Sequence, residues 1–219
     1  MTADPLRCTG HCSCERREHE SRLVVITGGP GAGKTALLEL VRHHFCTHVV
    51  ILPEAASLLF RGGFPRIDDE VGRRAAQRAI FHVQRELERV AIERHDAAVI
   101  LCDRGTVDGL AYWPDEEADF WSEVGSAPAA EKARYSSVLC METPPASQYN
   151  HVNPLRVESA AEAARVHARI ANSWRGHPQL TVVPHRDDFL EKVAQAMAIL
   201  RKTIPACCAR ANASPLPER

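Results

Sequence analysis

A glycine-rich stretch between an apolar run and a helical pattern constrains the fold of this 219-residue chain more than any other feature. Residues 23–27 are mostly apolar, residues 28–35 read GGPGAGKT, and apolar side chains then recur at helical spacing as far as Phe45. Glycine permits the positive φ angles that turn successive backbone N–H groups toward one point. With the positive end of the following helix, those groups bind phosphate oxygens. A strand, a phosphate-binding loop and a helix are predicted here.

The glycine-rich stretch fits the P-loop pattern, in which a glycine and four further residues precede Gly-Lys-Thr. We expect Lys34 to reach the β- and γ-phosphates of ATP or GTP, and the Thr35 hydroxyl to hold Mg²⁺. The alternative is a glycine turn in which Lys34 is only a solvated helix residue. The predicted nucleotide-binding residues of the loop are Gly28, Gly29, Pro30, Gly31, Ala32, Gly33, Lys34 and Thr35.

Charge and hydropathy argue against two classes of partner. The formal net charge is −1, which gives no electrostatic basis for sequence-independent binding of nucleic acid. No apolar run approaches the roughly 20 residues of a membrane span. Residues 1–22 also lack the apolar stretch of a secretory signal. The sequence therefore predicts a cytoplasmic protein that binds neither nucleic acid nor a membrane.

The chain has eight cysteines, and their positions favour thiols over disulfides. Three fall at the ends of predicted buried elements, where cysteine acts as a small hydrophobic side chain: Cys46, Cys102 and Cys140. Two more, Cys207 and Cys208, are expected in a C-terminal tail. A further group near the N-terminus offers ligands for a soft metal, although its spacing is not a standard zinc pattern: Cys8, His11, Cys12 and Cys14. For that group, metal binding and a disordered tail both stay open.

Apolar runs alternate with helical patterns along the chain. The runs predict strands at residues 23–27, 49–52, 98–102, 137–141 and 180–183. Helical spacing predicts the longer helices at residues 33–44, 69–94, 158–174 and 190–204. The stretch after Gly105 is predicted to be irregular. The alternation predicts an α/β fold with three layers around a parallel five-stranded sheet. This P-loop domain is expected at residues 22–204, between flexible tails at residues 1–21 and 205–219.

In parallel sheets, ligands bind beyond the carboxyl ends of the strands, so the residues at those ends are the candidates for chemistry. Asp103 ends the third predicted strand, in the form of a Walker B element that holds Mg²⁺. Ring-forming P-loop ATPases usually follow this aspartate with a glutamate that activates water. Arg104 stands here instead, and a guanidinium cannot accept a proton from water. It can clamp a substrate or orient a carboxylate; the alternative is a local surface ion pair with Asp103.

Glu54 follows the second predicted strand and is the candidate general base, because proton abstraction needs a carboxylate within reach of the acceptor hydroxyl. The alternative is an ordinary acidic residue at the start of a helix. Asp108 is a weaker candidate for contact with substrate or metal. Tyr112 and Trp113 are candidates for stacking on a planar substrate, although core packing explains them equally well.

Residues 143–156 contain three prolines and no periodicity, and are predicted to form a loop over the site. Arg156 ends this loop, and Arg165 and Arg169 follow on the next predicted helix. An arginine-bearing lid supplies positive charge to a migrating phosphoryl group and excludes water. The alternative is a solvated helix face. Arg156 is predicted to act in catalysis and Arg169 to contact the nucleotide.

Taken together, these motifs resemble a known family, over residues 22 to about 203. The motifs that carry the resemblance beyond the P-loop are Pro53-Glu54-Ala55, Asp103-Arg104-Gly105, Tyr149-Asn150, residues 153–158 (NPLRVE), Arg169-Ile170, Trp174 and His177-Pro178. The chain resembles small AAA-domain P-loop proteins grouped with the kinase domain of NadR-type ribosylnicotinamide kinases and with TRPL translocation defect proteins. More distantly it is similar to deoxynucleoside and thymidylate kinases. The resemblance implies a nucleoside-kinase-like sheet ordered 2-3-1-4-5. It also implies that Glu54, Asp103 and Arg104 face the acceptor, with the lid near Arg156.

Two functions of different kinds fit the sequence. The first is an enzyme, a kinase that uses Mg²⁺ to transfer the γ-phosphate of ATP to a hydroxyl of a small, nucleoside-like acceptor. Its predicted catalytic residues are Lys34, Glu54, Asp103, Arg104 and Arg156. The second is a regulatory switch that binds ATP or GTP, hydrolyses it slowly and acts through a protein partner. A ring-forming motor is a third hypothesis, against which the short chain and Arg104 both count.

Overall fold

A computed structural model describes residues 6–10, 12, 14–15, 19–94, 96–145, 147, 159–205 and 208. Its sheet has five strands: β1 (Arg22–Thr27), β2 (Val49–Leu52), β3 (Val99–Asp103), β4 (Tyr135–Met141) and β5 (Leu180–Val183). Neighbouring strands are all parallel and follow the order β2-β3-β1-β4-β5. The predicted α/β fold and sheet order are therefore confirmed.

Within the described residues, the helices are α1 (Lys34–His44), α2 (Ala55–Arg61), α3 (Glu70–Glu93), a 3₁₀ helix (Thr106–Ala111), α4 (Glu117–Glu123), α5 (Pro128–Ala133), α6 (Ala160–Ser173) and α7 (Phe189–Arg201). The stretch predicted to be irregular after Gly105 thus contains the 3₁₀ helix, α4 and α5, and that prediction was wrong. Helices of six or seven residues span fewer than two turns, so their side chains show no clear periodicity. None of the described helices is both long and apolar enough to cross a membrane.

Local sequence explains where the longer helices begin. Asp69 caps α3, and its carboxylate accepts a hydrogen bond of 2.7 Å from the Gly72 N–H. Ser159 and Glu162 form a capping box at the start of α6, in which each side chain accepts a hydrogen bond from the other residue's N–H. Such bonds satisfy donors that the first turn of a helix leaves without partners.

The sheet is the middle layer of three. Side chains of β1 alternate between its two faces: Val24 and Ile26 belong to one apolar core, and Leu23 and Val25 to the other. The first core is completed by α1 and α7, and the second by α3, α6, the 3₁₀ helix and α4. Because both faces are covered, β1 and β2 are apolar almost throughout, as is typical of parallel strands.

The segment at residues 6–10 packs against β2 at the edge of the sheet. The Ile51 N–H donates to the Leu6 carbonyl (2.8 Å), and the Cys8 N–H donates to the Val49 carbonyl (3.0 Å). Cys8 is 1% exposed, and Cys208, beyond α7, is equally buried. The sequence placed both residues in flexible tails, whereas the structure gives them partners because an edge strand offers open backbone groups and apolar side chains. The domain bounds of residues 22–204 stay a prediction.

A buried polar network fixes the 3₁₀ helix that follows β3. The Tyr135 hydroxyl accepts from the Thr106 N–H (2.9 Å) and donates to Glu88 (2.9 Å), and the Thr106 hydroxyl donates to Glu131 (2.8 Å). Glu88 and Glu131 are almost fully buried, and Arg134 pairs with both. A network in which each member has partners holds its backbone in one arrangement. The chain around residues 103–106 is therefore held firmly.

Candidate functional site

The loop between β1 and α1 has the backbone that its glycines allow. The φ angles of Gly28, Gly31 and Gly33 are 132°, 76° and 95°. A Cβ atom on Gly28 would lie 2.1 Å from the Met141 carbonyl oxygen, so no side chain fits there. Gly33 is the N-cap of α1, which points the first N–H groups of that helix into the loop. The predicted strand, phosphate-binding loop and helix are all present.

Lys34 lies over this loop. Its Nζ donates to the carbonyl oxygens of Gly28 (2.8 Å) and Gly29 (3.1 Å). Burial and the nearby Arg104 charge lower the pKa of Lys34 to about 8. The alternative of a solvated helix residue is therefore wrong. Thr35, on the next position of α1, is exposed and available to a ligand.

Two side chains that the sequence analysis missed, one on α7 and one on α6, contact the backbone of the loop. Lys192 of α7 is 2% exposed, and its Nζ donates to the carbonyl oxygens of Ala32 (2.9 Å) and Glu142 (2.5 Å). The ring of His167 on α6 accepts a hydrogen bond of 3.4 Å from the Gly29 N–H through Nδ1. A signal for Lys192 existed, since this cation stands on the apolar face of α7, where its neighbours are core residues.

Asp103 ends β3 between the P-loop and the residues that follow β2, because β3 lies between β1 and β2 in the sheet. Its Oδ1 atom is buried and has no hydrogen-bond partner among the described residues. Burial raises the pKa of Asp103 to about 6. A buried carboxylate oxygen without a partner beside a phosphate-binding loop fits a hard cation such as Mg²⁺, which prefers oxygen ligands. The donor set of Asp103 and the Thr35 hydroxyl therefore fits the metal that the sequence predicted.

Arg104 pairs with Glu54 rather than with its neighbour. The Nε–Oε1 distance to Glu54 is 2.7 Å, and Nη1 donates to the Gly28 carbonyl oxygen (3.3 Å). The Arg104 side chain is only 14% exposed, so the alternative of a local surface ion pair with Asp103 does not hold. Arg104 also has a φ angle of 74°, the one positive value among the described residues other than glycine. Such backbone conformations cost energy and cluster at functional sites.

Glu54 is the N-cap residue of α2, but its carboxylate makes no capping hydrogen bond. It accepts instead from Arg104 and from the Ser57 hydroxyl (2.6 Å). Although burial acts to raise the pKa of Glu54, the Arg104 charge, the Ser57 hydrogen bond and Lys34 outweigh it and lower that pKa. The side chain is therefore an ionised carboxylate at neutral pH, and its partners are the side chains of Arg104 and Ser57 rather than backbone N–H groups of the helix.

Three weaker candidates have structural contacts. Asp108 is buried and accepts hydrogen bonds from the Gly105 N–H (2.7 Å) and from the Thr27 hydroxyl, so it fixes the turn after β3. Trp113 is 1% exposed and packs in the core, so core packing, one of its two explanations, accounts for this residue. Tyr112 is partly exposed, and the Arg104 guanidinium lies 5.8 Å from its ring centroid.

The arginines predicted for a lid are not brought together by the described residues. Arg156 lies outside those residues, and the arginine-bearing lid stays a prediction. Arg165 is exposed on α6. Arg169 donates to the carbonyl oxygens of Leu110 (3.2 Å) and Trp113 (2.7 Å), which ties α6 to the 3₁₀ helix. These contacts give Arg169 a structural role, and its nucleotide contact stays a prediction.

The fold and the loop together define a P-loop protein with a nucleotide-binding loop, and solved structures share this fold. A NadR protein in complex with NAD and AMP-PNP matches at a TM-score of 0.59 and 17% identity, over 92% of this chain and 53% of that chain. A NadR protein in complex with NR matches at a TM-score of 0.62 and 16% identity, over 85% of this chain and 52% of that chain. The thymidylate kinase of Ehrlichia chaffeensis matches at a TM-score of 0.52 and 12% identity, over 82% of this chain and 98% of that chain. The chain therefore spans about half the length of the NadR chains.

Residues 23–192 match the model of the AAA domain family. The match covers most of the chain, and the protein belongs to this family. The resemblance expected from the motifs is confirmed. The chain matches no curated protein.

Proposed function

We propose that the protein is a kinase that transfers the γ-phosphate of ATP to a hydroxyl group of a small, nucleoside-like acceptor. The observation that carries this proposal is the Glu54–Arg104 ion pair, 2.7 Å long and mostly buried beside the P-loop. Phosphorylation of a hydroxyl needs a base near the acceptor and positive charge near the migrating group. The pair supplies both types of group at the carboxyl ends of neighbouring strands, where ligands bind in such sheets.

The ATP and Mg²⁺ sites in this proposal use the P-loop and the carboxyl end of β3. The loop N–H groups and Lys34 hold the phosphates, while the Thr35 hydroxyl and Asp103 Oδ1 hold Mg²⁺. When bound, Mg²⁺ neutralises charge on the phosphate oxygens. To reach those oxygens, Lys34 exchanges its hydrogen bonds to Gly28 and Gly29 for bonds to phosphate.

Glu54 is the proposed base, and Arg104 is its partner. The lowered pKa of Glu54 keeps the carboxylate ionised and able to accept the proton of the acceptor hydroxyl. Arg104 holds this carboxylate in place and contributes charge near Gly28, but it cannot activate water. The residue types therefore favour transfer to a bound acceptor over hydrolysis. Arg156 is proposed to add charge from the loop that precedes α6, on the sequence pattern alone.

The class of acceptor and the location of the protein belong to the same proposal. Both kinds of structural neighbour carry names or ligands of nucleotide chemistry, namely NR, NAD and thymidylate. A nucleoside-like molecule is therefore the first acceptor to test.

A cytoplasmic location is supported by buried thiols in the core, Cys46, Cys102 and Cys140 among them, because thiols persist in a reducing compartment.

The proposal is tested with the full chain, ATP and Mg²⁺ against a panel of nucleosides and related metabolites, with phosphorylated products identified by mass spectrometry. For the acceptor with the highest turnover, Glu54→Gln is expected to lower kcat by about 10²- to 10⁴-fold, the usual contribution of a general base. The affinity of the Glu54→Gln variant for ATP should change little, since Glu54 is proposed to contact the acceptor rather than ATP. Lys34→Ala is expected to abolish turnover.

Glu93→Gln is the matched control, because this exposed residue ends α3 near the start of β3, at the opposite edge of the sheet from the site. It should keep wild-type turnover. If Glu54→Gln turns over like this control, Glu54 is not the base. Tight binding of nucleotide with no phosphorylated product from any acceptor would contradict the kinase proposal and favour a switch.

A further inference from the structure

Four potential metal ligands from three distant parts of the chain meet near the start of β2. Cys12 and Cys14 follow the segment that pairs with β2, His48 precedes β2, and Cys208 lies beyond α7. The ligand atoms of all four side chains lie within 4.8 Å of one another. Because the sheet is parallel, the start of β2 is at the edge opposite the P-loop. The cluster is therefore separate from the nucleotide site.

We propose that Cys12, Cys14, His48 and Cys208 bind one zinc ion. Three thiolates and one imidazole form a Cys₃His set, which is a ligand set of structural zinc sites. With four protein ligands, the ion keeps no open position for substrate. The proposed site is thus structural, and it does not depend on the proposed kinase activity.

The distances in the cluster fit a tetrahedral ion. Zinc–sulfur bonds of about 2.3 Å and zinc–nitrogen bonds of about 2.0 Å place tetrahedral S···S pairs about 3.8 Å apart and S···N pairs about 3.6 Å apart. The Cys208 Sγ atom lies 3.4 Å from His48 Nδ1. Since no two of the four ligand atoms are more than 4.8 Å apart, shifts of about 1 Å or less in their separations would bring them to this geometry.

Surrounding groups contact the thiols of this cluster. The backbone N–H of Cys14 donates to Cys12 Sγ at 3.4 Å. The Nε2 atom of His19 lies 4.0 Å from Cys14 Sγ, and its ring centroid lies 4.5 Å from that of His48. Outer groups of this kind orient metal ligands.

The cluster differs from the cysteines that serve as core side chains. Cys46 and Cys102 are fully buried beside or within strands, whereas Cys12 and Cys14 are partly exposed and lie outside helices and strands. Cys12 and Cys14 also pack against the first core, but packing alone does not explain why both thiols converge with a histidine and the buried Cys208. Four described cysteines lie in or near this region, and none of them forms a disulfide within the described residues: Cys8, Cys12, Cys14 and Cys208.

The local fold brings the ligands together. Hydrogen bonds from Gly10 N–H to Phe45 (2.8 Å) and from Thr9 N–H to Arg42 (2.8 Å) fix the segment that leads to Cys12. On the other side, the Cys208 N–H donates to the Pro205 carbonyl oxygen (2.9 Å) in a turn after α7. An ion held there would tie both ends of the chain to the turn between α1 and β2. Three of the four ligands lie outside residues 23–192, the part that matches the family.

The first test is the metal content of the full chain, expressed in zinc-containing medium and purified without chelator. Mass spectrometry of the metal should find about one zinc per chain, as expected for a closed four-ligand site. After replacement of zinc by Co²⁺, the visible spectrum should show the intense bands of a tetrahedral ion together with sulfur-to-cobalt charge transfer. A metal-free protein that gives no such bands with Co²⁺ would overturn the proposal, without reliance on any variant.

The second test compares variants. Cys208→Ala should bind zinc more weakly than the wild-type protein and, when saturated with Co²⁺, should show about a third less charge-transfer intensity, because one of three thiolates is removed. His48→Ala should lose zinc affinity but keep the charge transfer. Cys102→Ala is the control, since it removes one thiol from β3, and it should keep both zinc and spectrum. Equal zinc in Cys208→Ala and this control would overturn the site, as would an intact mass showing a disulfide among Cys12, Cys14 and Cys208.

Discussion

Replacement of Asp103 by asparagine should reveal how burial affects this carboxyl group. Burial raises the pKa of Asp103 to about 6 from a reference value of 3.8. A group whose pKa is higher in the folded state binds protons more tightly there, so protonation stabilises the fold. Its stabilising effect is full below the unfolded pKa and is lost as the pH rises through the folded pKa. Between about pH 5 and pH 7, the carboxyl of Asp103 should therefore lower the stability of the wild-type protein.

The size of this effect follows from the two pKa values. Linkage gives a contribution to the free energy of unfolding of about 1.4 kcal/mol at pH 5 and about 0.1 kcal/mol at pH 7. The wild-type protein should therefore lose about 1.3 kcal/mol over this interval relative to Asp103→Asn. Asparagine has its own constant cost of burial, but that cost does not depend on pH. The change in the difference between the two proteins isolates the carboxyl.

The assay is urea unfolding of both proteins at several pH values, without nucleotide or Mg²⁺. All other titratable groups are shared, so their contributions cancel in the difference. The reasoning is refuted if the difference between the two proteins is the same at pH 5 and pH 7, or if the wild-type protein gains relative stability as the pH rises. Addition of ATP and Mg²⁺ at neutral pH should then stabilise the wild-type protein more than Asp103→Asn, since ligands that bind the folded state stabilise it.

Two further predictions concern the loop and its supports. Arg104→Ala and Arg104→Gly should both lose most turnover, yet the glycine variant should be more stable by about 1 kcal/mol in chemical unfolding, because glycine tolerates a φ of 74°. Equal stabilities would show that the positive φ costs nothing. Lys192→Met should lower stability by about 1–3 kcal/mol and weaken ATP binding in calorimetry, because the Ala32 and Glu142 carbonyl oxygens lose a buried donor. Exposed Lys202→Met is the control and should change neither quantity.

The strands and long helices could be predicted because their patterns repeat over enough residues. Runs such as VVIL in β2 are buried on both faces, and α3 shows its apolar positions over 24 residues. The sheet order came from the resemblance to known kinases rather than from periodicity. The short helices after β3 and the packing of residues 6–10 on β2 could not be predicted, since both depend on contacts with distant residues.

The candidate site was predictable where its residues are adjacent in sequence or end a strand. The P-loop is one continuous stretch, and Glu54 and Arg104 could be paired only because the ends of parallel strands converge across 50 residues. Lys192 reaches Ala32 from 160 residues away, on a helix that the sequence assigned to the core alone. The cluster proposed to bind zinc shows the same limit. Cys12 and Cys14 were recognised as candidate ligands, whereas Cys8 is a core residue and His11 lies outside the described residues. His48 and Cys208 join the two cysteines only through the fold.

Several features that lower stability lie around one point of the structure. Asp103 has a buried carboxylate oxygen without a partner among the described residues, Lys34 is a partly buried cation with a lowered pKa, and Arg104 has a positive φ angle. Each feature costs on the order of 1–3 kcal/mol, against a total stability of about 5–15 kcal/mol. Bound ATP and Mg²⁺ would give Lys34 a phosphate partner and Asp103 Oδ1 the partner that it lacks among the described residues, so this arrangement is best explained as a site held ready for ligand.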